Sequence, residues 1–350
     1  MIRASYISHS LVFKRPAGTS RGDLHEKNCW YMVLTGEGGV KGLGEVSFIP
    51  GLSVEDPHEL DIQIDHVCKL ISRGELHPGA KLHNLPGVGF ALETAWLDMN
   101  QGGNRLLYPS DFTLGLEGIP TNGLIWMGDP LQMNQQIREK LDLGFRVLKM
   151  KVGSLELDTE IEILRGLRAQ YKAAELEIRL DANGAWSFEQ APEILKRFAE
   201  FGIHSIEQPI SPGQTGEMAE LCAGGVIPIA LDEELIGIST TRERAGLLDQ
   251  INPAFVILKP GLIGGFTEAE DWISLAEKRG VGWWITSALE SSVGLNAIAQ
   301  WTHSLDVTIP QGLGLGSLYT NNLPSPLEME RDSLWHRPGK KWDLQVIRGI

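Results

Sequence analysis

The feature that most constrains the fold is a repeated pattern in which an apolar run of strand length ends in a charged residue and a helix-like stretch follows. The charged residues are Lys151, Asp181, Glu207, Asp232 and Lys259, so consecutive ones lie 25 to 30 residues apart. One strand and one crossover helix need about that length. In a closed parallel barrel the carboxyl ends of all strands meet on one face, where such barrels carry out their chemistry. The repeat therefore predicts a parallel barrel with five charged side chains around one mouth.

The segments on either side of this repeat supply the remaining barrel strands. Residues 123–128 form an apolar run that precedes a helical pattern, and residues 281–286 form another. The stretch 291–301 predicts the helix that follows, and the glycine-rich stretch 312–316 predicts the last strand. We therefore expect an α/β fold, a (β/α)7β TIM-like barrel, over residues 121–320.

The first 120 residues have a different pattern. Short strand-like runs separated by glycine predict a β-meander, and residues 58–71 and 88–99 have the spacing of amphipathic helices. We expect an α+β capping domain over residues 1–120. The C-terminal tail, residues 321–350, is expected to pack on it, so that the N-terminal part and the tail together form the cap.

Composition excludes several classes of protein. A chain of 350 residues with 42% hydrophobic residues can form two sizeable cores, and a net charge of −14 argues against binding nucleic acid or an anionic membrane. No apolar run is long enough to span a membrane, and three scattered cysteines predict neither a disulfide framework nor a zinc site. We expect a cytoplasmic protein with a small anionic substrate and no nucleic-acid or membrane partner. The oligomeric state is left open, with a homo-oligomer as one alternative.

The charged strand ends indicate metal-assisted chemistry. Asp181, Glu207 and Asp232, with no His or Cys among them, suit a hard divalent cation, above all Mg²⁺, which binds to a few carboxylates and keeps positions for water and substrate. The alternative is that each carboxylate pairs with a local Lys or Arg. Lys151 and Lys259 would place bases on opposite sides of a substrate held at the metal. That arrangement suits the removal of a proton α to a carboxylate.

A further lysine, Lys149, precedes Lys151 by two residues. On a strand, both side chains point to the same face. Like charges held close together lower the pKa of at least one of them, which predicts a lysine that is usable as a base near neutral pH. The alternative is a solvated edge strand.

These motifs resemble those of the enolase superfamily, in its muconate-lactonising-like branch, over nearly the whole chain. The matching segments are Lys149-Met150-Lys151, Asp181-Ala182-Asn183, Ile206-Glu207-Gln208-Pro209, Leu231-Asp232-Glu233-Glu234, Leu258-Lys259-Pro260 and Gly264-Gly265-Phe266. The resemblance implies that the three carboxylates bind Mg²⁺, for which Mn²⁺ can substitute. It also implies that Lys151 is the catalytic acid and base, that Lys149 supports Lys151, and that Lys259 faces the substrate from the other side.

The same resemblance suggests residues around the substrate. It places Asn183 beside the metal ligands and Glu233 beside the second base, Lys259. The alternative for Glu233 is a plain surface carboxylate. Arg21, on the first of two capping loops, either reaches the anionic end of the substrate or is a solvated loop residue. N–H groups near Ser291 and Ser292, at the start of a helix, are expected to hold a substrate carboxylate.

The activity implied is that of a carbon–oxygen lyase, which eliminates water from an anionic cyclohexadiene dicarboxylate after a lysine removes the α-proton and the metal stabilises the enediolate. Dipeptide epimerases of this branch carry an Asp-x-Asp pair near the eighth strand for the substrate amine, and residues 315–320 contain no acid. An N-acylamino acid racemase or a dipeptide epimerase of the same superfamily remains an alternative. A non-catalytic barrel that only binds is the alternative from another class. Such a protein would have lost one of the five charged strand ends, and all five are present.

Overall fold

Three antiparallel strands and two helices form the N-terminal part of the structure, a computed structural model that describes residues 2–19, 22–314 and 318–345. The elements are β1 (Arg3–Thr19), β2 (Gly22–Thr35), β3 (Lys41–Ser47), α1 (Leu60–Ser72) and α2 (Pro86–Asn100). The strands lie in the order β1-β2-β3. This is the α+β arrangement expected for the capping domain.

Successive side chains of β2 belong alternately to two different hydrophobic cores. Trp30 and Met32 pack with apolar residues of α1 and α2. Tyr31 and Val33, on the other face, pack with Leu289 of the barrel. Because successive side chains of a strand point to opposite faces, one buried strand holds the helices on one side and the barrel on the other.

Close packing of α2 on β3 depends on two glycines. A Cβ atom on Gly44 would lie 1.9 Å from the carbonyl oxygen of Ala91, and one on Gly42 would lie 1.9 Å from that of Ala95. Both contacts are with helix backbone, which cannot move aside. Only glycine at these positions allows the helix to approach the sheet this closely.

After a two-residue strand, β4 (Ile119–Pro120), seven parallel strands form a curled sheet in sequence order. They are β5 (Gly123–Ile125), β6 (Val147–Lys151), β7 (Glu177–Asp181), β8 (Ser205–Glu207), β9 (Ile229–Leu231), β10 (Phe255–Leu258) and β11 (Gly282–Ile285). The helices between and after them are α3 (Pro130–Asp142), α4 (Leu157–Gln170), α5 (Ala191–Ala199), α6 (Thr215–Gly224), α7 (Thr241–Ile251), α8 (Pro260–Ile263), α9 (Phe266–Glu277) and α10 (Ser292–His303).

Residues after α10 close this sheet into a barrel. Gln311 bridges Thr121 before the first barrel strand, and Gly312 bridges Thr286 after β11, both in parallel. The predicted (β/α)7β barrel is therefore confirmed. Its predicted last strand, 312–316, appears as this bridge, and residues 315–317 lie outside the described part of the chain.

Three barrel elements differ from the predicted ones at their ends: β11 is one residue shorter at each end, and the other two differences have a clear physical reason. The first strand stops at Ile125 instead of residue 128, because the Trp126 N–H leaves the sheet and donates to Oε1 of Gln136 in α3 at 2.8 Å. Helix α10 begins one residue later than predicted, since Ser291 is its N-cap and the Ser291 side chain accepts a hydrogen bond from the Val293 N–H.

The chain after the barrel contacts both domains. Strand β13 (Ser333–His336) lies between β12 (Leu327–Glu330) and β4 and pairs with both. Leu334 of β13 belongs to the barrel core. Trp342 and Leu344 pack instead on the barrel-facing side of the capping sheet. The sequence predicted contact with the capping domain, and the contact with the barrel is additional. None of the described helices is long and apolar enough to cross a membrane.

Candidate active site

The five predicted charged residues meet at the carboxyl ends of the barrel strands. Lys151 lies opposite Asp181 in the ladder between β6 and β7, and Asp181 lies opposite Glu207 in the ladder between β7 and β8. Asp232 and Lys259 directly follow β9 and β10. The spacing in the sequence thus corresponds to neighbouring positions at one mouth of the barrel.

A cavity of about 160 Å³ opens at this mouth. Part of its lining is charged or polar and is contributed by the barrel: Lys149, Lys151, Asp181, Asn183, Glu233 and Lys259. Another part is apolar and is contributed by both domains: Leu24, Ile49, Pro50, Leu52, Leu124, Trp126 and Leu289. The cavity suits a small ligand with both anionic and apolar parts.

Lys149 is held by two carboxylates. Its Nζ lies 2.9 Å from Oδ2 of Asp181 and 2.6 Å from Oε2 of Glu207, and the residue is only 7% exposed. Burial alone would lower the pKa of Lys149, but the carboxylates of Asp181, Glu207 and Asp232 outweigh it and raise the pKa. The expectation that neighbouring ammonium groups lower the pKa is wrong for this lysine, because acidic neighbours dominate its surroundings.

Lys151 has fewer acidic contacts. Its Nζ lies 3.0 Å from Oδ2 of Asp181 and donates to Oδ1 of Asn183. Asn183 has a positive φ of 46°, its N–H donates to Oδ1 of Asp181 at 3.1 Å, and its Nδ2 donates to Oε1 of Glu233 at 2.9 Å. Asn183 therefore connects Lys151 to the acidic residues on both sides, next to the cavity.

Lys259 is held by Asp232: the Lys259 ammonium donates a hydrogen bond to the Asp232 carboxylate. Burial would lower the pKa of Lys259, but the charges of Asp232 and Glu233 raise it. Glu233 was predicted to orient Lys259. In the structure it accepts its hydrogen bond from Asn183 instead, and its Oε2 has no partner among the described residues. Its influence on Lys259 is electrostatic.

The donor set fits a divalent cation. Asp181, Glu207 and Asp232 are buried oxygen ligands on consecutive strand ends, which is the type of ligand that Mg²⁺ prefers. Burial, and then the charge of Asp181, raise the pKa of Glu207 well above its usual range. The charges of Lys149 and Lys259 act to lower this pKa, and a cation with two positive charges at the same place would lower it further.

The lysines occupy the space between these carboxylates in this structure. No group of three or more His, Cys, Asp or Glu side chains in the described ranges is arranged around a common point where it could hold a metal ion. The ammonium groups of Lys149 and Lys259 bind the three carboxylates instead. The fit to a metal therefore rests on the type, burial and order of the ligands.

The predicted role of Ser291 and Ser292 is wrong. The Ser291 N–H donates to Oε1 of Glu45 at 2.8 Å, and the Ser291 hydroxyl donates to Oε2 of the same residue at 2.6 Å. The Ser292 N–H donates to Oδ1 of Asn322 at 2.8 Å. These donors already have protein acceptors, so they do not hold a substrate. Arg21, the predicted contact from the capping loop, lies outside the described residues.

Sequence reasoning missed three polar residues at or below the cavity. Gln208 is fully buried, accepts from the Asp232 N–H at 3.3 Å and donates to Oε2 of Glu234 at 3.1 Å, so it fixes the turn that carries this predicted metal ligand. Asn122 and Ser287 line the cavity, and neither Oδ1 of Asn122 nor Oγ of Ser287 has a partner in the described parts of the chain. Gln208 directly follows a predicted ligand and could have been singled out. Asn122 and Ser287 have no comparable signal.

Known proteins share this architecture. Residues 132–335 match the family model described as "Enolase C-terminal domain-like". The chain is 46% identical to an o-succinylbenzoate synthase from Desulfotalea psychrophila over 93% of this chain and 96% of that protein. The crystal structure of MenC from Desulfotalea psychrophila matches with a TM-score of 0.85 and 42% identity, over 95% of this chain and 99% of that one.

A more distant relative has a different activity in its name. The L-Ala-D/L-Glu epimerase of Bacillus subtilis is 25% identical over 87% of this chain and 85% of that protein. The chain therefore belongs to the enolase superfamily, as its motifs predicted, and to the same family as the Desulfotalea synthase.

Proposed function

We propose that this protein is a carbon–oxygen lyase that converts 2-succinyl-6-hydroxy-2,4-cyclohexadiene-1-carboxylate into o-succinylbenzoate and water. The observation that carries the proposal is the 46% identity to an o-succinylbenzoate synthase over nearly the full length of both chains. The presence of all five charged strand ends argues against a barrel that only binds.

Lys151 is the proposed acid and base. It lines the cavity and is held between Asp181 and Asn183, so its position is fixed. As a neutral amine it removes the α-proton. As the resulting ammonium it then protonates the hydroxide that leaves the neighbouring carbon, so that water is released and the product ring becomes aromatic.

Lys259 and Lys149 supply positive charge. Lys259 follows β10, four strands beyond β6, the strand of Lys151, so the two lysines face the cavity from opposite sides of the barrel. The carboxylates around Lys149 and Lys259 raise the pKa of both, which keeps these two groups cationic. Both can therefore stabilise the negative charge that develops on the substrate carboxylate.

We infer that Mg²⁺ is the cofactor, that Mn²⁺ can substitute for it, and that Asp181, Glu207 and Asp232 bind it. When bound, the cation supplies charge that acidifies the α-proton and stabilises the anion formed by its removal. The type and burial of the three ligands support this assignment.

The surroundings favour a wholly anionic substrate. Three lysines line the cavity, and residues 315–320 of the sequence contain no acid to receive a substrate amine. We further propose that the protein acts in menaquinone biosynthesis, in the cytoplasm, and without a nucleic-acid or membrane partner. The name of the MenC relative supports the pathway. A homo-oligomer remains an alternative to a monomer.

The decisive experiment is an assay of the purified protein for o-succinylbenzoate formation from its cyclohexadiene precursor. L-Ala-L-Glu and an N-succinylamino acid serve as comparison substrates, because each has an α-proton but tests a different member of the superfamily. Turnover of the precursor supports the proposal. Epimerisation or racemisation without dehydration would contradict it.

A further inference from the structure

A second group of buried polar residues lies between the capping sheet and the barrel. Lys27, Glu45 and Ser47 of β2 and β3 are 2%, 0% and 1% exposed. They face residues 286–291, the loop between β11 and α10, which carries Glu290 at 2% exposure. The proposed reaction uses none of these four side chains.

The capping sheet binds this loop at two points. The Lys27 ammonium donates to the Ser47 hydroxyl at 2.6 Å, and that hydroxyl donates to the Ala288 carbonyl at 3.0 Å. Three residues further on, Glu45 accepts from the N–H of Ser291 and from that of Gly294, both at 2.8 Å. Two adjacent strands thus hold the loop at its middle and at its end.

The loop has a strained backbone between these two points. Leu289 has a φ of 59°, in the left-handed region that costs a leucine about 1 kcal/mol or more. Its carbonyl accepts from the Tyr319 hydroxyl at 2.7 Å, and the Ala288 N–H donates to Oε2 of Glu290 at 2.6 Å. Such a conformation persists only where surrounding contacts fix it. Four consecutive residues of this loop line the cavity: Thr286, Ser287, Ala288 and Leu289.

Lys27 also balances the charges of the buried carboxyl groups of Glu45 and Glu290. Burial raises the pKa of Glu290 to about 7, while Lys27 acts to lower it and Glu45 acts to raise it. One buried ammonium thus lies near two buried carboxyl groups. Removing its charge would make burial of both carboxyl groups less favourable.

We propose that Lys27, Glu45 and Ser47 are positioning residues, which fix the loop of residues 286–291 in the conformation that binds substrate. The capping domain thereby shapes the cavity through backbone contacts as well as through its own apolar residues. The identity of the substrate rests on the proposed function, whereas the fixation of the loop does not.

The chain offers a matched control at the same interface. Glu93 of α2 also spans from the capping domain to the start of a barrel helix, where it accepts from the N–H of Phe266 and from that of Thr267. Neither partner lines the cavity. A Glu93→Gln variant therefore perturbs a similar interdomain contact without reaching the substrate loop.

The test compares Glu45→Gln, Ser47→Ala and Glu93→Gln by steady-state kinetics, thermal unfolding and amide hydrogen exchange. Glu45→Gln and Ser47→Ala should raise KM about 10-fold and change kcat less than about 3-fold, because they weaken binding of substrate and transition state equally. Exchange of the amides of residues 288–294 should become about 10-fold faster in both. Glu93→Gln should lower the melting temperature and leave KM and these amides unchanged.

Two results separate this inference from the proposed function. If the wild-type protein does not turn over the precursor, the proposed function fails, and hydrogen exchange still decides whether Glu45 and Ser47 fix the loop. If both variants lower the melting temperature but retain wild-type KM and loop exchange, the positioning role is wrong. Ser47→Ala deletes only one hydroxyl, so it decides the question should Glu45→Gln not fold.

Discussion

The lysines at the barrel mouth show how surroundings divide one residue type between different tasks. Lys149 binds two carboxylates, and Lys259 binds Asp232, so acidic groups keep these two lysines charged. Lys151 has one carboxylate and one amide as partners. A base must be able to release its proton, and Lys151, whose second partner is the neutral amide of Asn183, is held by fewer carboxylates than Lys149.

Replacement of Lys151 by arginine should abolish turnover. The guanidinium keeps the positive charge but cannot act as a base near neutral pH, so we expect kcat to fall by about three orders of magnitude or more. The measurement is o-succinylbenzoate formation, together with deuterium exchange at the substrate α-carbon. Lys196→Arg, on the exposed face of α5, is the control and should behave as wild type. Wild-type exchange in Lys151→Arg would transfer the role of base to Lys259.

Loss of a predicted metal ligand should remove both activity and the response to metal. We expect a chelator to abolish turnover and Mg²⁺ or Mn²⁺ to restore it. In wild type, Mg²⁺ at about 100 times its dissociation constant should stabilise the fold by about 2.7 kcal/mol. Asp181→Asn, Glu207→Gln and Asp232→Asn should remain folded, lose turnover and lose this thermal shift. Full activity of the chelated protein would contradict the assignment.

At the scale of elements, the contact between β3 and α2 sets the height of the helix above the capping sheet. Gly44→Ala would place a Cβ atom 1.9 Å from the carbonyl oxygen of Ala91, so the helix must move. We expect a loss of about 3 kcal/mol in the free energy of unfolding, measured by urea denaturation. Gly166→Ala is the matched control. A Cβ there, on the exposed side of α4, meets nothing within 4 Å, and the substitution should stabilise the protein by about 1 kcal/mol. If Gly44→Ala and Gly166→Ala changed the free energy of unfolding by the same amount and in the same direction, this explanation of the packing would be wrong.

The elements and residues that could be predicted from the sequence are those whose positions follow from a local pattern. The charged strand ends were found because a parallel barrel requires one strand and one helix per step, so their spacing determines their place. The start of α10 was predicted as a substrate site from the family resemblance, in which the N–H groups of a helix N-terminus hold a substrate carboxylate. That prediction failed because the acceptor of the Ser291 N–H, Glu45, lies 246 residues earlier in the chain. No local pattern indicates such a partner. The cavity contacts of Asn122 and Ser287 depend on tertiary structure in the same way.

At the scale of the whole molecule, the cavity is a joint product of the two domains. The barrel supplies the charged lining, and the capping domain supplies Leu24, Ile49 and Leu52. The lining contains three lysines and two carboxylates, those of Asp181 and Glu233, although the whole chain carries a net charge of −14. Local charge, and not net charge, therefore determines which substrate is favoured.

This arrangement predicts a strong preference for the anionic precursor over dipeptides. An ammonium-bearing substrate would bring a cation next to lysines, with no acid in residues 315–320 to receive it, at a cost of several kcal/mol. A dicarboxylate places negative charge near the same lysines, while its ring can contact Leu52 and Trp126. We expect kcat/KM for dehydration of the precursor to exceed that for epimerisation of any dipeptide by about 10³-fold or more, a difference of about 4 kcal/mol in transition-state stabilisation. The measurement is a competition between both substrate classes at one enzyme concentration, with Lys151→Arg as the inactive reference. Comparable rates would mean that the cavity accepts an ammonium group, and the protein would then be an epimerase of the same superfamily.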